Sequence, residues 1–123
     1  MNTVEEFWHN VDQLVGSSEL VIDRPRGSAH PRYPDLVYPL DYGYLAGTSS
    51  ADGGGIDVWL GSQEAKRPTA VICTVDLRKR DSEIKILLGC SEDEIGQIME
   101  MVNSGPMRGI LIRRQATQTG GQD

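Results

Sequence analysis

The part of the chain that follows the first predicted helix is divided into short apolar runs, and this division restricts the fold more than any other feature. From Glu19 onward, runs rich in Val, Ile and Leu are separated by stretches of Pro, Gly and Asp. Short apolar runs between turn-forming residues indicate β-strands. The predicted strands lie near residues 19–23, 36–40, 56–60, 69–75, 82–88 and 108–114. The pattern predicts a small β-barrel or tightly curled sheet.

Two amphipathic segments flank or interrupt these strands. The first carries apolar residues at helical spacing, begins with a possible capping box of Thr3 and Glu6, and ends at Gly16. The second begins at Ser91, continues with acidic residues in its first turn, and stops at Gly105. The first helix is expected to pack against the sheet; binding of a partner is the alternative. The expected class is mainly β with flanking helices (α+β).

Length and charge limit the classes of protein to which this chain belongs. With 123 residues, it has the size of one domain, which we predict for residues 1–115, followed by a polar, Gly-rich and disordered tail at 116–123. A formal net charge of -6 argues against a general nucleic-acid surface, although a local basic pocket stays open.

Membrane spans and disulfides are not expected either. No apolar run approaches the roughly 18 residues that a membrane helix needs. Cys73 and Cys90 lie in or beside apolar stretches, which favours buried thiols over a disulfide or a metal pair. With no secretion-type N-terminus, the sequence predicts a cytoplasmic protein without membrane or nucleic-acid partners.

Two pairs of aspartates are the strongest candidates for chemistry. Asp52 and Asp57 flank a Gly-rich loop before a predicted strand, and Asp76 and Asp81 bracket a charged hairpin between two others. Carboxylates that converge from loops and strand ends supply hard oxygen ligands, which suit Mg²⁺ or Mn²⁺ and phosphoryl chemistry. Taken separately, each motif is more typical of a simple turn, because Asp and Gly are common turn residues.

Basic and aromatic residues surround these aspartates in the sequence. A proline-punctuated loop beginning at Asp23 holds three arginines, and the predicted hairpin tip holds Arg78, Lys79 and Arg80. Such cations suit an anionic substrate. His30 is expected to be an exposed loop residue and not a metal ligand, since no His/Cys spacing predicts a zinc site.

Considered together, these motifs resemble the family I soluble inorganic pyrophosphatases. The resemblance covers about residues 19–88. It rests on the following segments: Val21-Ile22-Asp23-Arg24-Pro25-Arg26-Gly27-Ser28, Arg32-Tyr33, Tyr38-Pro39-Leu40-Asp41-Tyr42-Gly43-Tyr44 with Gly47-Thr48, Asp52-Gly53-Gly54-Gly55-Ile56-Asp57-Val58, and Asp76 with Asp81. A tyrosine-rich segment directly ahead of an Asp-Gly-x-x-x-Asp loop is specific, whereas each part alone is not.

The resemblance implies a small OB-like five-stranded β-barrel and a Mg²⁺-dependent diphosphatase that converts pyrophosphate and water to two phosphates, with Mn²⁺ as an alternative metal. It assigns Asp52, Asp57 and Asp81 to the principal metal and Asp76 to further ions. The residues implied in catalysis are Asp57, Asp23 and Asp76. The implied substrate contacts are Arg32 and Tyr42, with Arg26 and Arg80 as replacements for phosphate contacts that this chain lacks.

The chain departs from the family pattern at several of its functional positions. Gly54 stands where the family has the central loop aspartate that helps to deprotonate the attacking water. Pro34 replaces an acid, and a C-terminal Tyr-Lys pair that grips phosphate has no counterpart near residues 102–107. A positioned general base contributes about 10² to 10⁴ in rate, so reduced activity is expected.

Three functional hypotheses follow. The first is a pyrophosphatase-like hydrolase of reduced activity that acts on a small phosphoanhydride, in a homo-oligomer. The second is a catalytically impaired protein of the same fold that binds a metal-phosphate ligand or a protein partner. The third is an OB-like oligonucleotide binder, which the acidic composition disfavours.

Overall fold

A six-stranded sheet with one helix packed on each face forms the body of the protein. The structure, a computed structural model, describes residues 1–115. The elements in chain order are α1 (Thr3–Gly16), β1 (Leu20–Arg24), β2 (Asp41–Leu45), β3 (Ile56–Leu60), β4 (Pro68–Asp76), β5 (Asp81–Leu88), α2 (Glu92–Val102) and β6 (Met107–Arg113). The α+β class is therefore confirmed.

The order of strands across the sheet is β1-β2-β3-β5-β4-β6. All neighbouring strands are antiparallel except β3 and β5, which run parallel with Asp57 opposite Lys85 and Trp59 opposite Leu87. Among residues 1–115 no ladder joins β1 to β6, so the sheet is open. The predicted five-stranded OB-like barrel is not confirmed, because β6 pairs with the outer edge of β4 and extends the sheet.

The predicted strand at 36–40 is wrong, and β2 lies directly after it. Residues 36–40 contribute only one isolated bridge, between Ala29 and Val37, although Tyr38 and Leu40 are buried. Pro39 has no backbone N–H to give to a ladder, which disfavours a strand through this position. Apolar periodicity here marks burial of a loop and not a strand.

Side chains alternate between the two faces of the sheet, and each face has its own core. On one face α1 contributes Trp8 and Val11, which pack with Leu45, Val58, Val71, Ile86 and Leu88. On the other face α2 contributes Ile95, Ile98 and Val102, which pack with Tyr38, Leu40, Trp59, Ala70, Ile72, Leu87 and Cys90. α1 therefore packs as expected, and the face beneath α2 also carries the polar residues described below.

Both helices begin with capping boxes, one of them displaced from its predicted position. Ser91 caps α2 as expected, and Glu94 completes a box that was not predicted there. α1 is capped by Asn2 with Glu5, one residue before the predicted pair. In each box the cap side chain accepts the third residue's backbone N–H, and that residue's carboxylate accepts the cap N–H. The sequence thus predicts correctly that a capping box begins α1, but it misplaces that box by one residue.

α1 also contacts Arg114, which lies near the C-terminal end of the described residues. The two terminal nitrogens of the Arg114 guanidinium donate to the Asp12 carboxylate at 2.8 Å, and one of them also donates to the Pro68 carbonyl. The same guanidinium lies 5.5 Å from the centre of the Trp8 ring. These contacts fix α1 against the strands β4 and β6.

Cys73 and Cys90 are free thiols, as predicted. Cys90 is buried and Cys73 only half-buried. Burial raises the pKa of the Cys90 thiol to about 12, so that it stays protonated at neutral pH. Cys90 therefore acts as a packing residue.

Neither helix among the described residues is long and apolar enough to span a bilayer. The predicted disordered tail at 116–123 lies outside the described residues.

Candidate active site

A cleft of about 810 Å³ opens on the α2 face of the sheet. Its floor is made by residues of β2, β3, β4 and β5, one wall by the loop at residues 30–38, and the other by the end of α2 and the turn at residues 104–107. Six acidic side chains line it: Asp23, Asp52, Asp57, Asp76, Asp81 and Glu83. Five cationic side chains line it as well: Arg24, Arg32, Arg78, Lys79 and Lys85.

Strand register brings the central groups of the cleft together. Asp57 on β3 lies opposite Tyr44 on β2 and opposite Lys85 on β5, and the next pair along the same face is Tyr42 with Trp59. Because alternate residues of a strand face the same side, Asp57 and Trp59 share the cleft face of β3. Three neighbouring strands, β2, β3 and β5, thus supply the centre of the floor.

Lys85 contacts three other polar side chains of this floor. Its ammonium group donates to Oδ2 of Asp57 at 2.9 Å and to the Tyr42 hydroxyl at 2.9 Å, and it lies 3.5 Å from a Glu83 oxygen. Lys85 is only 6% exposed, whereas a quarter of the Asp57 side chain remains accessible. A buried ammonium group with these partners holds two carboxylates close together in a poorly solvated site.

Burial changes the proton affinity of each member of this network. Burial raises the pKa of the Tyr42 hydroxyl well above its ordinary value, so the phenol keeps its proton. Burial also raises the pKa of Glu83, an effect that Lys85 opposes and Asp57 reinforces. For Lys85, burial acts to lower the pKa, but Tyr42 and Asp57 outweigh it, so the net shift is upward and the ammonium group stays charged.

The Gly-rich loop is built around Asp52. Its Oδ1 accepts hydrogen bonds from the Gly54 N–H and the Ser50 hydroxyl, each at 2.9 Å, and Gly53 adopts a left-handed φ of 84° that favours glycine. The Gly54 hydrogen bond and then the Ser50 hydrogen bond lower the pKa of Asp52. Asp52 therefore stabilises the turn of its own loop, which is the simple role that the motif alone suggested. It also lines the cleft.

The predicted hairpin between β4 and β5 is confirmed, and it places a second aspartate pair at the cleft. Asp76 pairs with Asp81 across the hairpin. Asp76 is buried, and its Oδ1 accepts the backbone N–H groups of Arg78 and Lys79 at 2.9 and 3.1 Å. Asp76 is thus a turn-forming carboxylate, while Asp81 is half-buried beside it.

The hairpin tip also contacts the opposite wall of the cleft. The Arg78 guanidinium donates to the Tyr33 hydroxyl at 2.6 Å, which links the tip to the loop at residues 30–38. In that loop, His30 Nδ1 accepts the backbone N–H groups of Arg32 and Tyr33. His30 lines the cleft and is half-buried, so the expectation of an exposed position is not met. Its hydrogen bonds stabilise the loop in which it lies.

Most of the predicted site residues line this one cleft. It contains Asp23, Arg32, Tyr42, Asp52, Asp57, Asp76 and Asp81. Two predicted substrate contacts lie outside its lining. Arg26 is exposed, with its backbone N–H bound to Asp41, and Arg80 is exposed at the hairpin tip with a left-handed φ of 59°.

Sequence reasoning missed Lys85, Glu83 and Trp59, and it gave Arg24 only as one of the three arginines of its loop. Glu83 and Lys85 alternate with apolar residues along a predicted strand, a pattern that usually indicates one face in water. In the structure this polar face is the floor of the cleft. The alternation did indicate that Glu83 and Lys85 lie on one face of the strand. Only the fold shows that Lys85 on this face is buried.

The carboxylate oxygens of the cleft are ligands of the type that Mg²⁺ prefers, although residues 1–115 contain no preformed group of metal ligands. No group of three or more His, Cys, Asp or Glu residues in this range is arranged to hold a metal ion. Mg²⁺ is usually held by one or two carboxylates together with waters and substrate phosphates, so it needs no such group. Six carboxylates in one cleft therefore fit a Mg²⁺ ion that binds together with a phosphate ligand.

Comparison with known proteins identifies the fold. No protein-family model matches the sequence, and no curated protein matches it. Among solved structures, an inorganic pyrophosphatase from Neisseria gonorrhoeae is similar over 72% of this chain and 77% of that one, with 21% identity and a TM-score of 0.59. An inorganic phosphatase from Anaplasma phagocytophilum is similar over 76% of this chain and 81% of that one, with 15% identity and a TM-score of 0.53. The chain thus has a pyrophosphatase-like fold, as the resemblance of its motifs implied.

Proposed function

We propose that the cleft binds Mg²⁺ together with a phosphoanhydride and hydrolyses it, with pyrophosphate as the reference substrate. The observation that carries this proposal is the gathering of six carboxylates and five cationic side chains in one cleft of a pyrophosphatase-like fold. Carboxylates bind the metal ion, and cations neutralise phosphate oxygens that the metal does not contact.

The carboxylates at the floor and hairpin are assigned to the metal. Asp57 and Asp52 supply oxygens from the two ends of the Gly-rich loop, and Asp81 and Asp76 supply them from the hairpin. When bound, Mg²⁺ polarises the phosphoryl group and lowers the pKa of a coordinated water. Lys85 contacts Oδ2 of Asp57, so we assign the other oxygen, Oδ1, to Mg²⁺.

Other residues bind the substrate and hold protons. Arg32 is exposed at the cleft wall, where its guanidinium is free to turn toward a phosphate. The Tyr42 phenol keeps its proton and so serves as a hydrogen-bond donor to a phosphate oxygen. Asp23, at the end of β1, is assigned to a water beside the metal. Arg26 and Arg80 are not assigned to the substrate, because they lie outside the cleft.

Gly54 sets the expected level of activity. In the absence of a carboxylate at this position, the attacking water has no general base from the loop, and a loss of about 10² to 10⁴ in rate is expected. A Cβ at Gly54 would meet only Asp52, at 3.3 Å from Oδ1, and Gly54 does not share the left-handed conformation of Gly53. An aspartate at this position therefore requires that the Asp52 carboxylate shift by a few tenths of an ångström, and its Cβ meets no other residue.

The test is phosphate release from pyrophosphate with millimolar Mg²⁺. We expect slow turnover by the parent protein, no turnover by Asp57→Asn, and unchanged turnover by Asp93→Asn, which alters an exposed carboxylate on α2 outside the cleft. Gly54→Asp is expected to raise the rate, with Gly54→Asn as its neutral control of similar size. Equal rates for the parent and Asp57→Asn would refute the hydrolase proposal.

The second candidate is a binder of metal-phosphate ligands without turnover. Two observations favour it: Gly54 supplies no base, and Asp57 is already neutralised by Lys85. This candidate predicts that pyrophosphate with Mg²⁺ raises the melting temperature while no phosphate is released. Turnover that depends on Asp57 would exclude it.

A further inference from the structure

Two segments of the cleft lining carry exposed cationic side chains. Arg32, beside the exposed Tyr33, belongs to the loop at residues 30–38, and Arg78 and Lys79 lie at the tip of the hairpin between β4 and β5. We call these four residues the rim. Within residues 1–115, none of the three cations of the rim forms an ion pair with a carboxylate, so their positive charge is available to a ligand.

The histidine next to the rim lies in the same positive field. Burial lowers the pKa of His30, and the charges of Arg24, Lys79 and Arg32 lower it further. These three cations belong to β1, the hairpin and the loop, so three segments bring positive charge to one part of the cleft. A diphosphate bound to one Mg²⁺ ion still carries negative charge. The phosphate oxygens that the metal does not contact therefore suit this part of the cleft.

The side chain of Arg78 has one hydrogen bond in the described part of the chain, and the acceptor is neutral. Its guanidinium donates to the Tyr33 hydroxyl at 2.6 Å, which joins two segments 45 residues apart. A guanidinium binds phosphate more strongly than it binds a neutral hydroxyl, because its bonds to phosphate are charge-assisted and often paired. Both side chains are exposed, so exchange of this hydrogen bond for one to a ligand disturbs no packing in the core.

The hairpin connects Arg78 to one of the proposed metal ligands. Asp76 is buried, and Oδ1 of its carboxylate accepts the backbone N–H groups of Arg78 and Lys79. Both hydrogen bonds use the same oxygen, which leaves Oδ2 for the metal ion to which Asp76 is assigned. A ligand that binds this metal is therefore brought to the segment that carries Arg78.

We infer that Arg78 is a phosphate-binding residue of this site, which Tyr33 holds while the cleft is free and which passes to the ligand when a diphosphate binds with Mg²⁺. This inference rests on the proposed function for the position of the metal. One phosphate of the ligand lies with the metal among the carboxylates, and the other accepts hydrogen bonds from Arg78 at the rim. Tyr33 is then a positioning residue whose hydroxyl competes with the ligand for the guanidinium.

The first measurement is calorimetric titration in Mg²⁺ with methylenediphosphonate, a diphosphate analogue whose P–C–P bridge is not hydrolysed. Arg78→Ala should weaken binding about tenfold or more, because a charge-assisted hydrogen bond to phosphate is lost. Arg80→Ala is the matched control: it removes the same charge from the same hairpin tip, but at an exposed position outside the cleft lining. At 0.15 M salt it should change the affinity less than about twofold, because a distant exposed charge is screened. Equal losses for the two variants would overturn the inference.

The second measurement tests the competition by Tyr33. Tyr33→Phe removes the hydroxyl and keeps the ring, so the analogue should bind about two- to fivefold more tightly once Arg78 is released. In an Arg78→Ala protein the same replacement should leave the affinity unchanged, because the hydroxyl has no guanidinium to hold. Partial loss of folding does not imitate tighter binding. Unchanged or weaker binding by Tyr33→Phe alone would contradict the exchange and overturn the inference.

The outcomes separate this inference from the proposed function. Release of phosphate from pyrophosphate by the parent protein, with binding that does not depend on Arg78, would overturn the inference and leave the hydrolase proposal standing. Binding of the analogue that depends on Arg78 and is tightened by Tyr33→Phe, without any release of phosphate from pyrophosphate, would support the inference and refute the hydrolase proposal. If the parent protein neither binds the analogue nor releases phosphate, both are overturned.

Discussion

Replacement of Lys85 by Met is expected to destabilise the protein strongly, because it leaves two carboxylates facing each other without a cation. The Lys85 ammonium lies 2.9 Å from Asp57 and 3.5 Å from Glu83, whose side chain is 8% exposed. Removing one partner of a buried ion pair typically costs about 3 to 5 kcal/mol. Since a quarter of the Asp57 side chain still meets water, we expect the lower end, about 3 kcal/mol at pH 7.

The same change predicts a characteristic pH dependence. Lys85 opposes the upward shift of the Glu83 pKa that burial causes, so its removal raises that pKa further. A carboxyl group with a raised pKa binds protons more tightly in the folded state than in the unfolded state. The contribution of Glu83 to the stability of Lys85→Met is therefore greatest below the ordinary Glu value of 4.5 and is lost as the pH rises through the folded-state pKa of Glu83.

The measurement is urea unfolding of the parent, Lys85→Met, Asp57→Asn and the double variant at pH 5 and pH 7. Asp57→Asn should restore part of the loss, which gives a coupling energy between the two sites. Lys79→Met makes the same chemical change on the exposed hairpin and should alter stability by less than about 0.5 kcal/mol. A loss below about 1 kcal/mol for Lys85→Met at pH 7 would refute the assignment of Lys85 as the group that holds these carboxylates together.

Three further predictions concern other parts of the molecule. Glu83→Gln removes the carboxyl group whose pKa burial raises, so unfolding measured across pH 4 to 8 should lack the fall in stability that the parent shows as pH rises through that pKa; an identical profile would contradict the role of Glu83. Arg114→Ala should lower the free energy of unfolding by about 1 kcal/mol, and Arg114→Lys should recover little of it, because a lysine does not form the paired contact with Asp12. Gly96→Ala should stabilise α2 by about 0.5 to 1 kcal/mol in thermal or urea unfolding, because a Cβ there meets no atom within 4 Å; a loss would show that the space is filled.

Local sequence signals predicted the elements of this fold better than their assembly. Ser91 and the acidic residues after it identified the start of α2, because a helix cap depends only on neighbouring residues. The stretch from residue 36 to 40 was assigned wrongly, because Tyr38 and Leu40 are buried by a loop that packs against the sheet. The open arrangement of six strands depends on which edge β6 joins, and no local pattern in the sequence specifies this.

In the candidate site, too, the residues that lie in local motifs were predicted, whereas those whose role depends on strand pairing were not. Asp52, Asp57, Asp76 and Asp81 were predicted from turn and strand-end motifs, and the fold brings all four to one cleft. Lys85 escaped notice because its role depends on the parallel pairing of β3 with β5, which joins residues far apart in sequence. Arg80 was assigned to the substrate from its charge, but it is exposed at the hairpin tip and lies outside the cleft lining.

The parallel pairing of β3 with β5 also divides the sheet into two parts. It joins two contiguous halves of the sheet, β1-β2-β3 and β5-β4-β6, along one seam of backbone hydrogen bonds. Within each half all neighbouring strands are antiparallel, whereas the seam is the one parallel ladder among the described residues. Asp57 lies on one side of the seam and Lys85 on the other, so opening of the seam dismantles the site. A ligand that contacts both sides would therefore slow amide hydrogen exchange along β3 and β5 more than elsewhere in the sheet.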